Sequence, residues 1–278
     1  MQVAWSSVAT VLCDLDGVVW LAHEPIPGSA DAVERIRASG RRVLFVTNNS
    51  WATDADQVAA LGAIGIPAVG DVISSATAAA RMVTPGSRVL VAAGPGVVEA
   101  LERRDVDPVL NDGRVDPDGF DAVIVGMHRD IDYARIAVAS SAVRAGARLI
   151  GTNTDSTYPT PTGLLPGGGA LLAAIATAAG VDPEVAGKPH QPMADVVAEA
   201  APAGGGGLVA RLMVGDRLET DGRFAGAARA YFALVRSGVT TVEHDATSPT
   251  ADGVGVDLDV ADLAAVADVL DREPFTGH

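Results

Sequence analysis

Basic residues are in short supply in this chain. It has 20 Lys and Arg against 35 Asp and Glu, a formal net charge of −15. That balance disfavours a nucleic-acid partner, which needs a basic surface facing the phosphates, and it disfavours adhesion to anionic membranes. It leaves room for a small phosphorylated ligand, because a bound cation and a few local donors override the global field. Cysteine is almost absent. Cys13 stands alone, so no intrachain disulfide can form, which fits a reducing, cytoplasmic setting. Aromatics make up only 4%, so the core must be built from small aliphatic side chains. No apolar stretch is long and unbroken enough to predict a transmembrane helix. The N-terminus lacks a basic region followed by an apolar stretch, so no signal peptide is expected.

What is present is a soluble composition, 48% apolar and 20% charged over 278 residues, with length for two domains. Strand and helix patterns alternate, which predicts an α/β fold with a mostly parallel sheet. A strand ending near Cys13 is followed by a helix over 28–39, a strand over 42–46, and helices over 53–61 and 74–83. The alternation starts afresh at Arg88: strands over 89–92, 122–125 and 148–150, helices over 95–103, 131–145 and 167–179. Residues 153–163 read as a polar loop. This middle block reads as an inserted second domain. A strand over 208–214, a helix over 220–235, short strand candidates at 238–242 and 253–257, and a helix over 262–270 complete the pattern. The glycine run 204–207 precedes a strand, so it reads as a surface loop and not as a phosphate cradle.

Four segments carry the chemistry. In Val11-Leu12-Cys13-Asp14-Leu15-Asp16-Gly17-Val18 an apolar run ends in two carboxylates and a glycine. The ends of parallel strands are where α/β sheets bind ligands. Paired carboxylates can hold a hard cation such as Mg2+, and one can attack an electrophile while the other shuttles a proton. Gly17 allows a sharp turn and close backbone approach. In Phe45-Val46-Thr47-Asn48-Asn49 a strand again ends in small polar groups that could hold a phosphoryl oxygen; helix capping or an Asx turn explains them equally well. Lys188 lies between Gly187 and Pro189, where it could neutralise a phosphate and a nearby Asp, although a lone Lys is usually a solvated charge. Gly215-Asp216 ends a third apolar run, and Asp221 follows about one turn later; Asp216 could ligate a metal with Asp221 behind it, or the two could merely cap a helix.

Taken together and in this order, the segments resemble the signature of the haloacid dehalogenase superfamily of phosphohydrolases: DxDG(T/V), a strand-end Thr or Ser, a Lys, then GDxxxxD. Phe45 through Ser50, with Asn153, Asp155, Pro159 and Leu165 through Gly169, look like the para-nitrophenyl phosphatase and phosphoglycolate phosphatase-like members. Ala52, where relatives often carry Arg, and His128, where an acidic residue is common, are departures that bear on substrate choice.

The resemblance implies a Rossmann-like core over 1–84 and 183–278, with an α/β cap inserted over 85–182 that sets specificity. It implies Asp14 as nucleophile forming an aspartyl phosphate, and Asp16 as general acid and base. Mg2+ would be bound by Asp14, Asp16 and Asp216, with Asp221 in support. The phosphate would be bound by Asp16, Gly17, Thr47, Asn48, Asn49 and Lys188. In the cap, His128, Asn153 and Asp155 are the implied leaving-group contacts; for the latter two, turn formation is the competing explanation. The expected substrates are small phosphomonoesters: glycerol phosphate, phosphoglycolate, sugar phosphates, nucleotides or para-nitrophenyl phosphate. A phosphotransferase or phosphomutase, or a non-catalytic phosphate-ester binder, is the alternative. Related capped enzymes often form homodimers through the cap.

Overall fold

The structure is a computed structural model and describes residues 3–21, 23–160, 163–201, 210–240 and 255–276. The glycine run 204–207 and parts of both short strand candidates lie outside the described residues. The chain divides into two compact units. The first comprises Met1–Thr47, Val58–Ile73 and Lys188–His278; the second comprises Asn48–Gln57 and Ser74–Gly187. The second unit thus takes in the Ser75–Arg81 helix and a short early segment, and so differs in its limits from a cap over 85–182.

The first unit is built on a six-stranded sheet ordered Leu258–Val260, Ala230–Val235, Ala210–Gly215, Val8–Cys13, Arg42–Thr47 and Val72–Ser74. The first five strands pair in parallel. Val8–Cys13 is central. The chain builds outward from it on one side, then returns to build outward on the other, so the order reverses beside it. The C-terminal ends of Val8–Cys13 and Ala210–Gly215, at that reversal, are where sheets of this kind bind ligands. The C-terminal halves of both strands, Val11–Cys13 and Leu212–Gly215, are buried apolar runs, as strands covered on both faces should be.

Two helices cover one side. Ser29–Ala38 buries Ala32, Val33 and Ile36, and Leu263–Arg272 buries Leu263, Val266, Ala267 and Leu270, each at helical spacing. Asp262 caps the second helix by accepting from the Ala265 N–H at 2.9 Å, a contact typically worth about 1 kcal/mol. These side chains pack with Val11, Cys13, Val43, Phe45, Leu212 and Val214 from the sheet into one core. A truncation such as Phe45→Ala there would cost about 3–5 kcal/mol. That rigid floor fixes where the strand ends point.

The second unit carries a five-stranded parallel sheet ordered Glu184–Val185, Arg148–Gly151, Ala122–Val125, Arg88–Ala92 and Asp107–Leu110. Its own core gathers Leu90, Val123, Val125, Leu149, Leu172 and Ile175 with the small residues of the Tyr133–Arg144 helix. Several expectations fail. The strand candidates at 238–242 and 253–257 are not strands in their described residues, and the edge strand is Leu258–Val260. The polar stretch 153–163 is not all loop: Thr157–Thr160 pairs antiparallel with Gly163–Pro166. The segment 220–235 is not one helix. A π-helical turn, Leu218–Gly222, and the short helix Arg223–Ala227 end at Arg229 in left-handed conformation, and Ala230–Val235 is a parallel strand. An apolar run of that length fits strand and helix alike, and burial inside the sheet decided it.

Candidate active site

The ends of the two central strands bring the predicted carboxylates together. The Asp14 N–H donates to the Val214 carbonyl at 2.9 Å, carrying the strand pairing up to the site. Asp14, Asp216 and Asp221 each place a carboxylate oxygen within 4.8 Å of the others, and all three are buried. The Lys188 ammonium, 2% exposed, lies 2.9 Å from Asp14 Oδ1 and 2.8 Å from Asp221 Oδ1. Lys188 is therefore no solvated surface charge: it bridges two acids.

The three carboxylates have unequal lives. Asp221 has a partner on each oxygen, with Oδ1 accepting from Lys188 and Oδ2 from the Arg217 N–H at 3.2 Å. Asp14 takes both of its hydrogen bonds on Oδ1, from the Leu15 N–H at 2.8 Å and from Lys188. Asp216 Oδ2 accepts from the Val239 N–H at 2.6 Å, while its Oδ1 is buried without any partner. An orphaned buried carboxylate oxygen costs several kcal/mol unless something compensates it. Three acids against one ammonium leave the pocket short of positive charge.

The protonation energetics say the same. Burial pushes the Asp14 carboxyl well above the usual range despite the opposing pull of Lys188, with Asp221 and Asp216 adding to the rise. Asp216 is pushed up to about 6, by burial first and by Asp221 second. Burial alone would lower Lys188, but Asp14 and Asp221 outweigh it and hold the ammonium above its ordinary value. Asp16 is also raised, chiefly by burial. A hard cation ligated by Asp14 and Asp216 fits this donor set: it would satisfy the orphan oxygen and relieve the like-charge crowding. Asp221, with both oxygens already used, is placed to hold Lys188 instead.

Glycines make the crowding possible. Gly17 has φ +89°, and a Cβ there would run into the Asp216 carboxyl. Its N–H donates to the Trp20 carbonyl at 2.7 Å and its carbonyl accepts from Ser237 Oγ at 2.7 Å. Gly17 therefore supplies room and a turn; its amide is already spent and does not serve as an open phosphate donor. A Cβ at Gly215 would meet Asp221, and one at Gly238 would meet Asp216. Gly238-Val239, read in the sequence as the start of a strand over 238–242, instead closes on Asp216. The one available signal was the Ser237-Gly238 pair shortly after the apolar run 230–235.

Thr47, 2% exposed, ends the Arg42–Thr47 strand as expected. Cys13 is an inert neighbour: burial pushes its thiol far up, and it donates to the Asp14 carbonyl.

The remaining predicted residues belong to the second unit. The Asn48 side chain donates to Asp155 Oδ2 at 3.2 Å, and Asn49 Oδ1 accepts from the Trp51 N–H at 3.0 Å, the Asx turn weighed for it. Asn153 spends both ends of its amide on the backbone, donating to the Asn48 carbonyl at 2.9 Å and accepting from the Asp155 N–H at 3.1 Å. It braces the loop. His128 Nδ1 accepts from the Asp130 N–H at 3.1 Å, and burial, then Arg135, lowers its pKa. A half-buried, neutral imidazole with Nε2 unused is what results.

Comparison with known proteins agrees with this geometry. Residues 11–107 match the haloacid dehalogenase-like hydrolase family, and residues 185–263 match a second haloacid dehalogenase-like hydrolase model. A D-glycerol 3-phosphate phosphatase of Mycobacterium tuberculosis is 39% identical over 83% of this chain; the match covers 64% of that protein's length. A 5'-nucleotidase of Bacillus subtilis is 34% identical over 86% of this chain and 92% of its own. A crystal structure of a glycerol phosphate phosphatase from M. tuberculosis in complex with magnesium superposes with a TM-score of 0.83 at 31% identity, over 97% of this chain and 80% of that one. The chain belongs to the haloacid dehalogenase-like hydrolases. No described helix is long and apolar enough to cross a membrane.

Proposed function

We propose that the protein is a Mg2+-dependent phosphatase of small phosphomonoesters that works through an aspartyl phosphate on Asp14. The observation that carries this reading is the Asp14–Lys188–Asp221 chain beside an orphaned Asp216 oxygen, all buried at the switch point of a parallel sheet. A pure binder of phosphate esters has no use for a buried carboxylate aimed at an anion. The relatives named above, acting on glycerol phosphate and on 5'-nucleotides, support a small metabolite as substrate, with glycerol phosphate first.

Asp14, Asp216 and the Asp16 carbonyl would hold Mg2+, which when bound offsets the negative charge that carboxylate and phosphate bring together. An Asp14 carboxylate oxygen attacks phosphorus and the ester P–O bond breaks. Asp16, kept protonatable by burial, gives its proton to the departing alkoxide. Asp16 then takes a proton from water as that water attacks the phosphorus, releasing phosphate and restoring Asp14. Lys188 and the Thr47 hydroxyl neutralise and orient the phosphoryl oxygens, with the backbone after Thr47 in support. Asp221 keeps the Lys188 ammonium charged and aimed. In the second unit, His128 and Asp155 are our choices for residues that set substrate preference.

The test is release of inorganic phosphate from glycerol phosphate, a 5'-nucleotide, a sugar phosphate, phosphoglycolate and para-nitrophenyl phosphate, with Mg2+ and with excess chelator. Mg2+-dependent release concentrated in one metabolite class is the expected result. Transfer to an added alcohol in preference to water would make the protein a phosphotransferase, and no turnover of any ester would sink the reading.

A further inference from the structure

The second unit holds a cleft of its own, lined from the helices Ser75–Arg81 and Pro95–Glu102 and from the segment around Ala52 and Asp54. Its volume is about 210 Å³. That lies below the range of about 300–1,000 Å³ that takes drug-sized molecules, so a ligand here is small. The walls are fixed by hydrogen bonds. The Gly96 N–H donates to the Trp51 carbonyl at 3.0 Å, and the Asp54 N–H donates to Glu99 Oε2 at 2.7 Å. Gly96 packs so closely that a Cβ there would run into the Ala52 carbonyl. Ala52 and Ala100 add only methyl groups to the lining, which keeps the cleft open.

The cleft is basic in a chain whose net charge is −15. Arg81, Arg103 and Arg104 line it, against Asp54 and Glu99. Arg103 spends both terminal nitrogens on those acids, 3.1 Å from Asp54 Oδ2 and 3.0 Å from Glu99 Oε1. The acids are therefore answered within the wall. Arg104 is different. It is half-buried and pairs with no acid among the described residues. Its Nε donates to the Ala80 carbonyl at 3.1 Å, which fixes the guanidinium plane and leaves the two terminal nitrogens unspent. An arginine just past a helix end is ordinarily a solvated charge. This one is anchored and partly desolvated, a state that is costly for a cation unless an anion comes to it. It shares the cleft with Arg81 and with Ser74 and Thr77, whose hydroxyls lie 3.3 Å apart.

We propose that this cleft binds a small oxyanion, either free phosphate or the phosphoryl group of a small ester, on the guanidinium forks of Arg104 and Arg81. The planar fork matches the oxygens of a phosphoryl group, and the Ser74 and Thr77 hydroxyls are further donors. The site lies wholly in the second unit and depends on no role assigned in the first.

Binding read at single side chains tests this apart from any binding in the first unit. The full chain is held in excess chelator, and the arginine Nε–H signals are followed by nuclear magnetic resonance as sodium phosphate or sodium glycerol phosphate is added. Sodium chloride at equal ionic strength is the control. Saturable shifts at Arg81 and Arg104 are the expected result, and the anion that saturates at the lower concentration identifies the source of the phosphoryl group. Arg104→Gln, read at Arg81, and Arg81→Gln, read at Arg104, should each weaken binding about tenfold, the worth of a charge-assisted hydrogen bond. Arg81 is exposed, so Arg81→Gln keeps the test open should Arg104→Gln fail to fold. Shifts that do not saturate and that chloride reproduces mean an adventitious ion only and overturn the site, as does unchanged affinity in either variant that folds.

Discussion

The protein contains two parallel sheets of similar design, and only one of them ends in charge. In the first unit the two strands at the order reversal run into Asp14 and Asp216, held around Lys188. In the second unit the corresponding strand ends run into Gly94, Gly126 and Thr152, with Ser50 Oγ 2.9 Å from Thr152 Oγ1 and Asn153 bracing the backbone. Both networks are buried. The neutral one is satisfied internally, as a structural network should be; the charged one keeps an orphan oxygen and a surplus of negative charge. Architecture alone therefore does not locate chemistry. An unsatisfied, like-charged cluster at a strand end does, because nothing but function would retain it.

That contrast can be broken most forcefully at the nucleophile. Asp14→Asn should lower phosphate release at least about 10³-fold while the far-ultraviolet circular dichroism stays native; activity near wild type would refute the site. Next in size is the charge balance. Lys188→Met strands Asp14 and Asp221 without their counter-ion, and urea unfolding should show a loss of about 3–5 kcal/mol. In the second unit, Thr152→Val removes one neutral partner from Ser50, and the loss should be about 1–3 kcal/mol. Equal losses would erase the distinction between the two networks.

The cation can be probed by pH. In metal-free protein Asp216 titrates near 6 instead of its ordinary 3.8. Its folded pKa is raised, so the stability contributed by its proton is full below the ordinary value and is lost as pH rises through about 6. Metal competes with that proton. The rise in Tm caused by Mg2+ should therefore be small at about pH 5 and large at about pH 7.5; the opposite trend would remove Asp216 from the metal site. Smallest is the effect at His128. His128→Ala should raise KM for the natural substrate about fivefold, one hydrogen bond's worth, and leave KM for para-nitrophenyl phosphate where it was; equal shifts would return His128 to a structural role.

Much of the site was legible before any coordinates, because its four segments each sit where an apolar run meets a polar residue: Cys13/Asp14, Val46/Thr47, Gly187/Lys188 and Gly215/Asp216. Spacing within the chain could not say which carboxylate Lys188 would meet, and the answer, Asp14 and Asp221 together, gives the supporting role expected of Asp221 a definite partner. Nor could it reveal that the Gly17 amide is spent on Trp20, since that bond depends on a hairpin with two-residue strands too short for any periodicity. The Thr157–Pro166 hairpin was hidden because Gly163–Pro166 is exposed throughout and shows no alternation. Ala230–Val235 was hidden because alanine-rich apolar runs suit a helix until a sheet buries them.

The account's central claim is that the phosphoryl group rests on Asp14. Quenching the enzyme during turnover of glycerol phosphate and reducing with borohydride converts an aspartyl phosphate to homoserine. Mass spectrometry of the peptide carrying Asp14 and Asp16 then finds the modified position. Homoserine at Asp14, dependent on Mg2+ and substrate, is the predicted result; homoserine at Asp16 or Asp216, or none while phosphate is released, would contradict it.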